Sequence, residues 1–288
     1  MDTQKFLKDL LVSQELTAEQ EQMLQEHKKE VTDFLRSEFG SDPVIKFAGS
    51  REKGTMNRDN YDLDIVCYFP SSDTRTLKEI REDTAAHLGS KYTLQHKASA
   101  ERIVSLKEAS TPQGYHIDVV PGRFIEGSKD VFLHVAYGEK ERMQTNLKTH
   151  IEHIKNSGCI PVIRLVKIWA HRNRVNVKTF ILELFIIKSL AGSRSKDDLQ
   201  KSFLQVMEAL KNDFEKTLLV DPANSGNVVS QIMESWEKIA VARAAQEVFN
   251  KLNTSEALSD WQAVFCEPIT SVKIPVSAPF TPHKPWAM

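Results

Sequence analysis

Cysteine is scarce in this sequence: Cys67, Cys159 and Cys266 are the whole complement. No two of them have the spacing of a zinc site, and an odd number does not build a disulfide framework. The nine histidines add no H-x-x-x-H pair and no mixed Cys/His cluster, so no structural zinc is expected. A reducing, cytoplasmic setting is the natural reading. A surplus of one charge is missing as well. Thirty-eight Lys and Arg stand against thirty-nine Asp and Glu, a formal net charge of −1, which argues against a protein that coats nucleic acid non-specifically. Long hydrophobic runs are absent too. The most apolar stretch, "TFILELFIIKSL" (179–190), is interrupted by Glu183 and is too short to span a bilayer. The opening "MDTQKFLKDLLVSQ" lacks the basic start and cleavable apolar segment of a signal peptide. No membrane association is expected, and there is no internal repeat or low-complexity tract.

What is present points to a mixed fold. Apolar residues make up 41% of 288, enough for one large core or two moderate ones. The first 38 residues read as helical, with Thr17 and Gln20 placed as a capping box. Leu24, His27, Val31, Phe34 and Leu35 then recur at helical spacing. "VIKFA" (44–48) reads as a strand broken by Gly49-Ser50, and "DLDIVCYF" (62–69) as a second strand stopped by Pro70. A helix over 73–90 follows, then strands at "KYTLQHK", "RIVSLKE" and "YHIDVV", with "TPQG" (111–114) as a turn. From about Asn146 nearly every segment reads as helix. "CIPVIRLVKIWAHRNR" has Pro161 near its start, where proline is tolerated. "TFILELFIIKSLAG", "KDDLQKSFLQVMEALKNDF" and "SGNVVSQIMESWEKIAVARAAQEVFNKL" continue the helical pattern, with Trp169 and Trp236 as core residues. The tail 266–288 carries five of the eleven prolines and reads as extended. The expected layout is α+β over 1–145, with the N-terminal helices included, and helical over 146–288, with a cleft between the two.

Three aspartates carry the chemistry. Asp62 and Asp64 lie two apart on a predicted strand, so their side chains share a face. Like charges that close are mutually costly unless a cation sits between them. A solvated acidic strand start is the competing reading, but Asp118, in "YHIDVVP", weighs against it. There a carboxylate is flanked by apolar residues on another predicted strand, where it is expensive unless paired or metal-bound. If the two strands are neighbours, the three carboxylates converge, and three oxygen ligands suit Mg²⁺. Upstream, Gly49 and Ser50 lead into a short helix and offer backbone N–H groups and a hydroxyl to a phosphate. An ordinary turn is the alternative there.

Together these residues resemble the DNA polymerase β-like nucleotidyltransferases. "GSREKGTMNRDNYDLDIV" followed by "HIDVVP" is similar to the oligoadenylate synthase and cyclic GMP-AMP synthase branch. The bacterial members of that branch are the CD-NTases, which make cyclic oligonucleotide signals in anti-phage defence. "VIRLVKIWAHR" resembles the family's spine helix, "KTFILELFII" its following Leu-Glu-Leu segment, and "DPANSGNVV" its late Asp-Pro element, so the likeness covers roughly residues 44–230. The resemblance implies a polymerase β-like core with a mixed sheet, followed by a helical domain, bilobal with a central cleft. It implies Asp62, Asp64 and Asp118 as metal ligands, with Asp118 also a general base toward an attacking ribose hydroxyl. It implies Gly49 and Ser50 as the triphosphate cradle and Lys167 as a phosphate ligand. Thr179 stands where the family has a phosphate-binding serine, and Phe180 where it has a base-stacking tyrosine. On residue type alone, Lys167 also reads as a solvated helix lysine, Phe180 as core, and Lys53 as a loop lysine facing water. The zinc thumb of the animal cyclic GMP-AMP synthases has no counterpart here.

The implied activity is a Mg²⁺-dependent synthesis of a cyclic di- or trinucleotide from NTPs, ATP among them, with two ions and Mn²⁺ as a substitute. Three alternatives stay open. One is a linear oligonucleotide synthase, including one switched on by RNA at the basic stretch 140–178, which holds nine Lys and Arg against Glu141 and Glu152. Another is an enzyme that extends RNA ends. The third is a non-catalytic nucleotide- or RNA-binding scaffold. An activating partner protein is compatible with the family.

Overall fold

The computed structural model describes residues 2–106, 116–136, 141–193, 196–255 and 257–265. The "TPQG" turn, Cys266 and the proline-rich tail lie outside the described residues.

The chain opens with two helices, α1 (Thr3–Ser13) and α2 (Ala18–Phe39). The capping box at α2 is formed in both directions: the Thr17 hydroxyl accepts from the Gln20 amide, and the Gln20 side chain accepts from the Thr17 amide. Next come β1 (Val44–Phe47), the five-residue α3 (Gly49–Lys53), β2 (Leu63–Phe69) and α4 (Leu77–Lys91). Strands β3 (Tyr92–His96), β4 (Glu101–Leu106), β5 (Ile117–Phe124), β6 (Val131–His134) and β7 (Arg142–Thr145) complete a seven-stranded sheet. Its main order is β1-β2-β5-β4-β3, and β6 and β7 extend from the far end of β5. The β2–β5 pair is parallel and the other pairs are antiparallel, so the sheet is mixed, as expected.

Alternation along β2 explains how a strand buried on both faces can carry an acid. Leu63, Ile65, Cys67 and Phe69 point into a core with Leu24, Val31 and Leu35 of α2 and Ile80 and Leu88 of α4. Asp64, Val66 and Tyr68 point the other way, and Val66 and Tyr68 pack there with Ala48, Val131 and Leu133. The strand begins at Leu63, so Asp62 is the residue just ahead of it.

Helices α5 (Leu147–Lys155), α6 (Ile160–Arg172), α7 (Thr179–Ser189) and α8 (Leu199–Asp213) follow, and α9 (Ser235–Leu252) and α10 (Leu258–Val264) close the described chain. The spine helix α6 is buried almost all round, through Val162, Ile163, Leu165, Val166, Ile168 and Trp169. Arg164 and Lys167 take the remaining stripe, which bonds Asn57 and the Thr55 carbonyl. α1 contributes Leu7 and Leu10 to this same core, although it precedes the sheet in sequence.

Two sequence expectations need correction. Residues 220–228 are not helical. They form a hairpin of β8 (Val220–Asp221) and β9 (Asn224–Val228), followed by a short 3₁₀ turn at Val229–Ile232, and α9 begins only at Ser235. Trp236 is not core, since 68% of it is exposed. The buried stripe of α9 runs through Val241, Ala245, Val248 and Leu252. Five residues before Val241, Trp236 lies about 140° around the helix from that stripe.

Candidate active site

A cavity of about 410 Å³ opens between the Asp64 face of the sheet and helices α5 to α7. That is within the range of small-ligand sites. Gly49, Ser50, Asp62, Asp64, Lys167, Thr179 and Phe180 all line it. Of the expected residues only Asp118 does not line it, although Val120, two residues along the same strand, does.

The sheet register brings the acids together. Asp64 on β2 is the direct partner of Asp118 on β5, so their side chains rise side by side from one pleat. Asp62 sits at the mouth of the same pair and accepts a long hydrogen bond, 3.4 Å, from the His116 amide. Burial, and then the neighbouring charges of Asp118 and Asp62, push the Asp64 carboxyl up to about 7. Asp118 is engaged by a residue that sequence reasoning missed. Arg102 on β4 donates from Nε to Oδ1 at 2.7 Å and from Nη2 to Oδ2 at 2.8 Å. Among the described residues, no three His, Cys, Asp or Glu side chains are placed to hold one ion. The expected convergence of Asp62, Asp64 and Asp118 is corrected to that extent: the three are neighbours, but Arg102 draws Asp118 toward β4. The donor set itself suits a hard cation. It is all oxygen, and the burial and repulsion that raise the Asp64 carboxyl are both costs that a bound cation would offset.

Any other residue at Gly49 would be strained. Its φ is +63°, and a Cβ there would lie 1.6 Å from an Asp64 carboxylate oxygen. The Ala48 amide donates to the Asp64 carbonyl at 2.9 Å, which pins the start of α3 against the acid. The glycine therefore sits against the carboxylate, with Ser50 lining the same cavity.

The Lys-Gly-Thr that follows has a structural partner. Glu183, the residue that interrupts the apolar run of α7, is fully buried. It accepts from Lys53 Nζ at 2.9 Å and from Thr55 Oγ1 at 2.7 Å, with Lys167 Nζ at 3.8 Å. Burial opposes ionisation of Glu183, but the Lys53 and Lys167 charges and these hydrogen bonds outweigh it and hold its carboxyl below the usual range. Lys53 is thus no water-facing loop lysine, and Lys167 no solvated one. Lys167 donates to the Thr55 carbonyl at 2.8 Å, and burial pulls its ammonium down to about 8. Two lysines against one glutamate leave a positive surplus beside the cavity.

Thr179 is exposed at the first turn of α7, and Phe180 is half-buried. Phe180 meets the His150 ring at a centroid distance of 4.7 Å, and Lys53 Nζ lies 4.6 Å from its centroid. A base stacking on Phe180 must share the ring with these neighbours. His150 Nε2 is 2.6 Å from Asp221 Oδ1, which also accepts from the Ala223 amide at 2.8 Å. The late Asp-Pro element therefore anchors a histidine in the cavity wall.

Comparison with known proteins bears on this arrangement. Residues 28–133 match the nucleotidyltransferase domain family. The structure is similar to Escherichia coli MS115-1 CdnC with ATP, at TM-score 0.70 and 18% identity, over 94% of this chain and 99% of that one. It is also similar to the Bradyrhizobium diazoefficiens CD-NTase CdnG with GTP, at TM-score 0.70 and 11% identity, over 90% and 93%. The chain has the CD-NTase fold. Vibrio cholerae DncV without ligand shares that CD-NTase architecture at TM-score 0.65 and 17% identity, over 94% of this chain and 85% of that one. A search of curated protein sequences returned no match. The nucleotidyltransferase match spans β1 to β6 and so contains Gly49, Ser50 and all three aspartates. Lys167, Glu183 and Phe180 come from the helical half of the CD-NTase fold.

Proposed function

We propose that this protein is a Mg²⁺-dependent nucleotidyltransferase that joins NTPs into a cyclic di- or trinucleotide signal and releases pyrophosphate. The observation that carries the reading is the register pair Asp64–Asp118, set against Gly49 and Ser50 in a cavity that also holds Lys53 and Lys167. The similar CdnC and CdnG structures contain ATP and GTP, and one DncV structure holds the linear intermediate 5′-pppA(3′,5′)pG. These support ATP as a substrate and stepwise synthesis.

In this mechanism the Gly49 and Ser50 amides and the Ser50 hydroxyl bind the donor triphosphate. Lys53 and Lys167 neutralise it, and Thr179 adds a hydroxyl at the rim. Phe180 and His150 form the wall against which a base rests. Asp62, Asp64 and Asp118 would hold the divalent ions, which would supply Lewis-acid offset of negative charge during the displacement. Asp118 takes the proton from the acceptor ribose hydroxyl, on a lone pair that Arg102 leaves free. The domain division is part of the same reading: a catalytic unit over 1–145 and a helical unit over 146–288. A cytoplasmic role in bacterial defence belongs to the same reading, and the E. coli CdnC structure solved as a HORMA complex supports a protein partner.

Incubation with radiolabelled NTPs and Mg²⁺, then phosphatase and mass spectrometry, tests the proposal. A phosphatase-resistant oligonucleotide is expected without RNA, and Asp62→Asn with Asp64→Asn should abolish it. A phosphatase-sensitive product points to a linear synthase and a labelled RNA to an end-extending enzyme. No product with any NTP, with RNA or with cell extract added as a source of a partner protein, would leave only a binding scaffold.

A further inference from the structure

The pleat that carries the acids continues past Asp118. β4 pairs with β5 so that Arg102 lies directly beside Asp118, and β3 pairs with β4 so that Gln95 lies beside Arg102. One row therefore reads Asp64, Asp118, Arg102, Gln95 across four strands. Arg102 grips both oxygens of Asp118, and its Nη2 is 3.6 Å from Asp62 Oδ2. Only 18% of its side chain is exposed. An isolated surface ion pair contributes little. This one is bidentate, largely covered, and reaches two carboxylates at once, so it belongs to the stronger class.

We propose that Arg102 is a built-in counter-cation of the carboxylate site. It holds Asp118 turned toward β4 when no divalent ion is bound and gives up part of that grip when an ion loads. The proposal rests on the reading of Asp62, Asp64 and Asp118 as ion ligands. Three carboxylates on neighbouring backbone positions repel one another, and a fixed guanidinium lowers that cost without an ion. The same guanidinium then competes with the ion for Asp118. It stays charged at any pH the protein survives, so protonation does not relieve the competition. Arg102 thus stabilises the ion-free fold and weakens ion binding. A residue that only propped Asp118 in its working position would do the opposite to ion binding.

The opposed signs make the test. Arg102→Met keeps the apolar stem and removes the charge. Arg102→Lys keeps the charge and loses the fork. Each is compared with the unaltered protein by Mn²⁺ titration, followed through the free-ion electron paramagnetic resonance signal, and by thermal melting with and without Mn²⁺. Arg102→Met should melt lower without ion, bind Mn²⁺ at least about tenfold more tightly, and gain more on Mn²⁺ addition. Arg102→Lys should fall between. Adding Asp118→Asn to Arg102→Met should restore most of the lost ion-free stability. Equal or weaker Mn²⁺ binding by Arg102→Met overturns the proposal while the metal reading stands. If Arg102→Met does not fold, Arg102→Lys decides, with tighter binding expected and equal or weaker binding overturning. Failure of the unaltered protein to bind Mn²⁺ overturns the metal reading and the role of Arg102 with it.

Discussion

Asp64 sits where its own charge is expensive, and that gives a pH signature. Burial and two neighbouring acids push its carboxyl from 3.8 to about 7. Between those values the folded protein holds a proton that the unfolded chain has released. Stability of the ion-free protein should therefore fall as pH rises through that window and level off above about 7. Asp64→Asn removes the titration. In EDTA it should be close to neutral at pH ~4 and stabilising by a few kcal/mol at pH ~8, as read from urea midpoints. Mg²⁺ should flatten the profile of the unaltered protein, because a bound cation favours the ionised form. An Asp64→Asn effect of the same size at both pH values would show that burial and repulsion at Asp64 are not what the site stores.

Helix α7 shows how an element can be apolar all round and still be tied to a polar site. Its single acid, Glu183, spans the cleft to Lys53 at the end of α3 and Thr55 on the loop after it. Removing one partner of a buried pair leaves the other charge uncompensated, which costs about 3–5 kcal/mol. Glu183→Gln should thus destabilise strongly in urea unfolding, and adding Lys53→Met should recover a large part, since one of the two stranded lysines is then gone. Strictly additive losses would mean that the contact does not carry the energy. Glu183 was legible in the sequence as an interruption and as part of a Leu-Glu-Leu segment, but not its partner, because Lys53 lies 130 residues away. The same limit hid His150, whose Asp221 partner is 71 residues on, and Arg102, whose role depends on which strand lies beside β5. The strand β2 and the helix α2 were legible because their periodicity and capping are local. β8 and β9 were not, because two- and five-residue strands are fixed by the hairpin that pairs them and by the wall they anchor. Trp236 misled because a large apolar residue carries no information about which side of its helix it occupies.

At the scale of the molecule, the helical core and the sheet core lie on either side of the cleft, whose sheet wall carries Val66, Tyr68 and Leu133, and they are joined by more than the chain. α1 packs with the helical core while α2 packs with the sheet. Arg172 bonds Asp59 at 2.6 Å, Arg164 bonds Asn57 at 3.0 Å, and Lys53 bonds Glu183 at 2.9 Å, all across the same boundary. In the proposed mechanism a triphosphate in the cavity would touch both sides, with Gly49 and Ser50 on one and Lys167 and Thr179 on the other. Its binding energy therefore belongs to the whole fold and not to one half. At one hundred times its Kd, a non-hydrolysable ATP analogue with Mg²⁺ should stabilise by ~2.7 kcal/mol. For a chain of this size that is a Tm shift of roughly 4–5 °C. Scanning calorimetry should show one transition moving as a unit, because the ionic ties leave neither core free to melt while the other holds its ligand. Two transitions, with only the sheet half responding, would mean that the nucleotide is held by Gly49, Ser50 and the acids alone. Lys167 and Thr179 would then be bystanders to a site contained in the sheet.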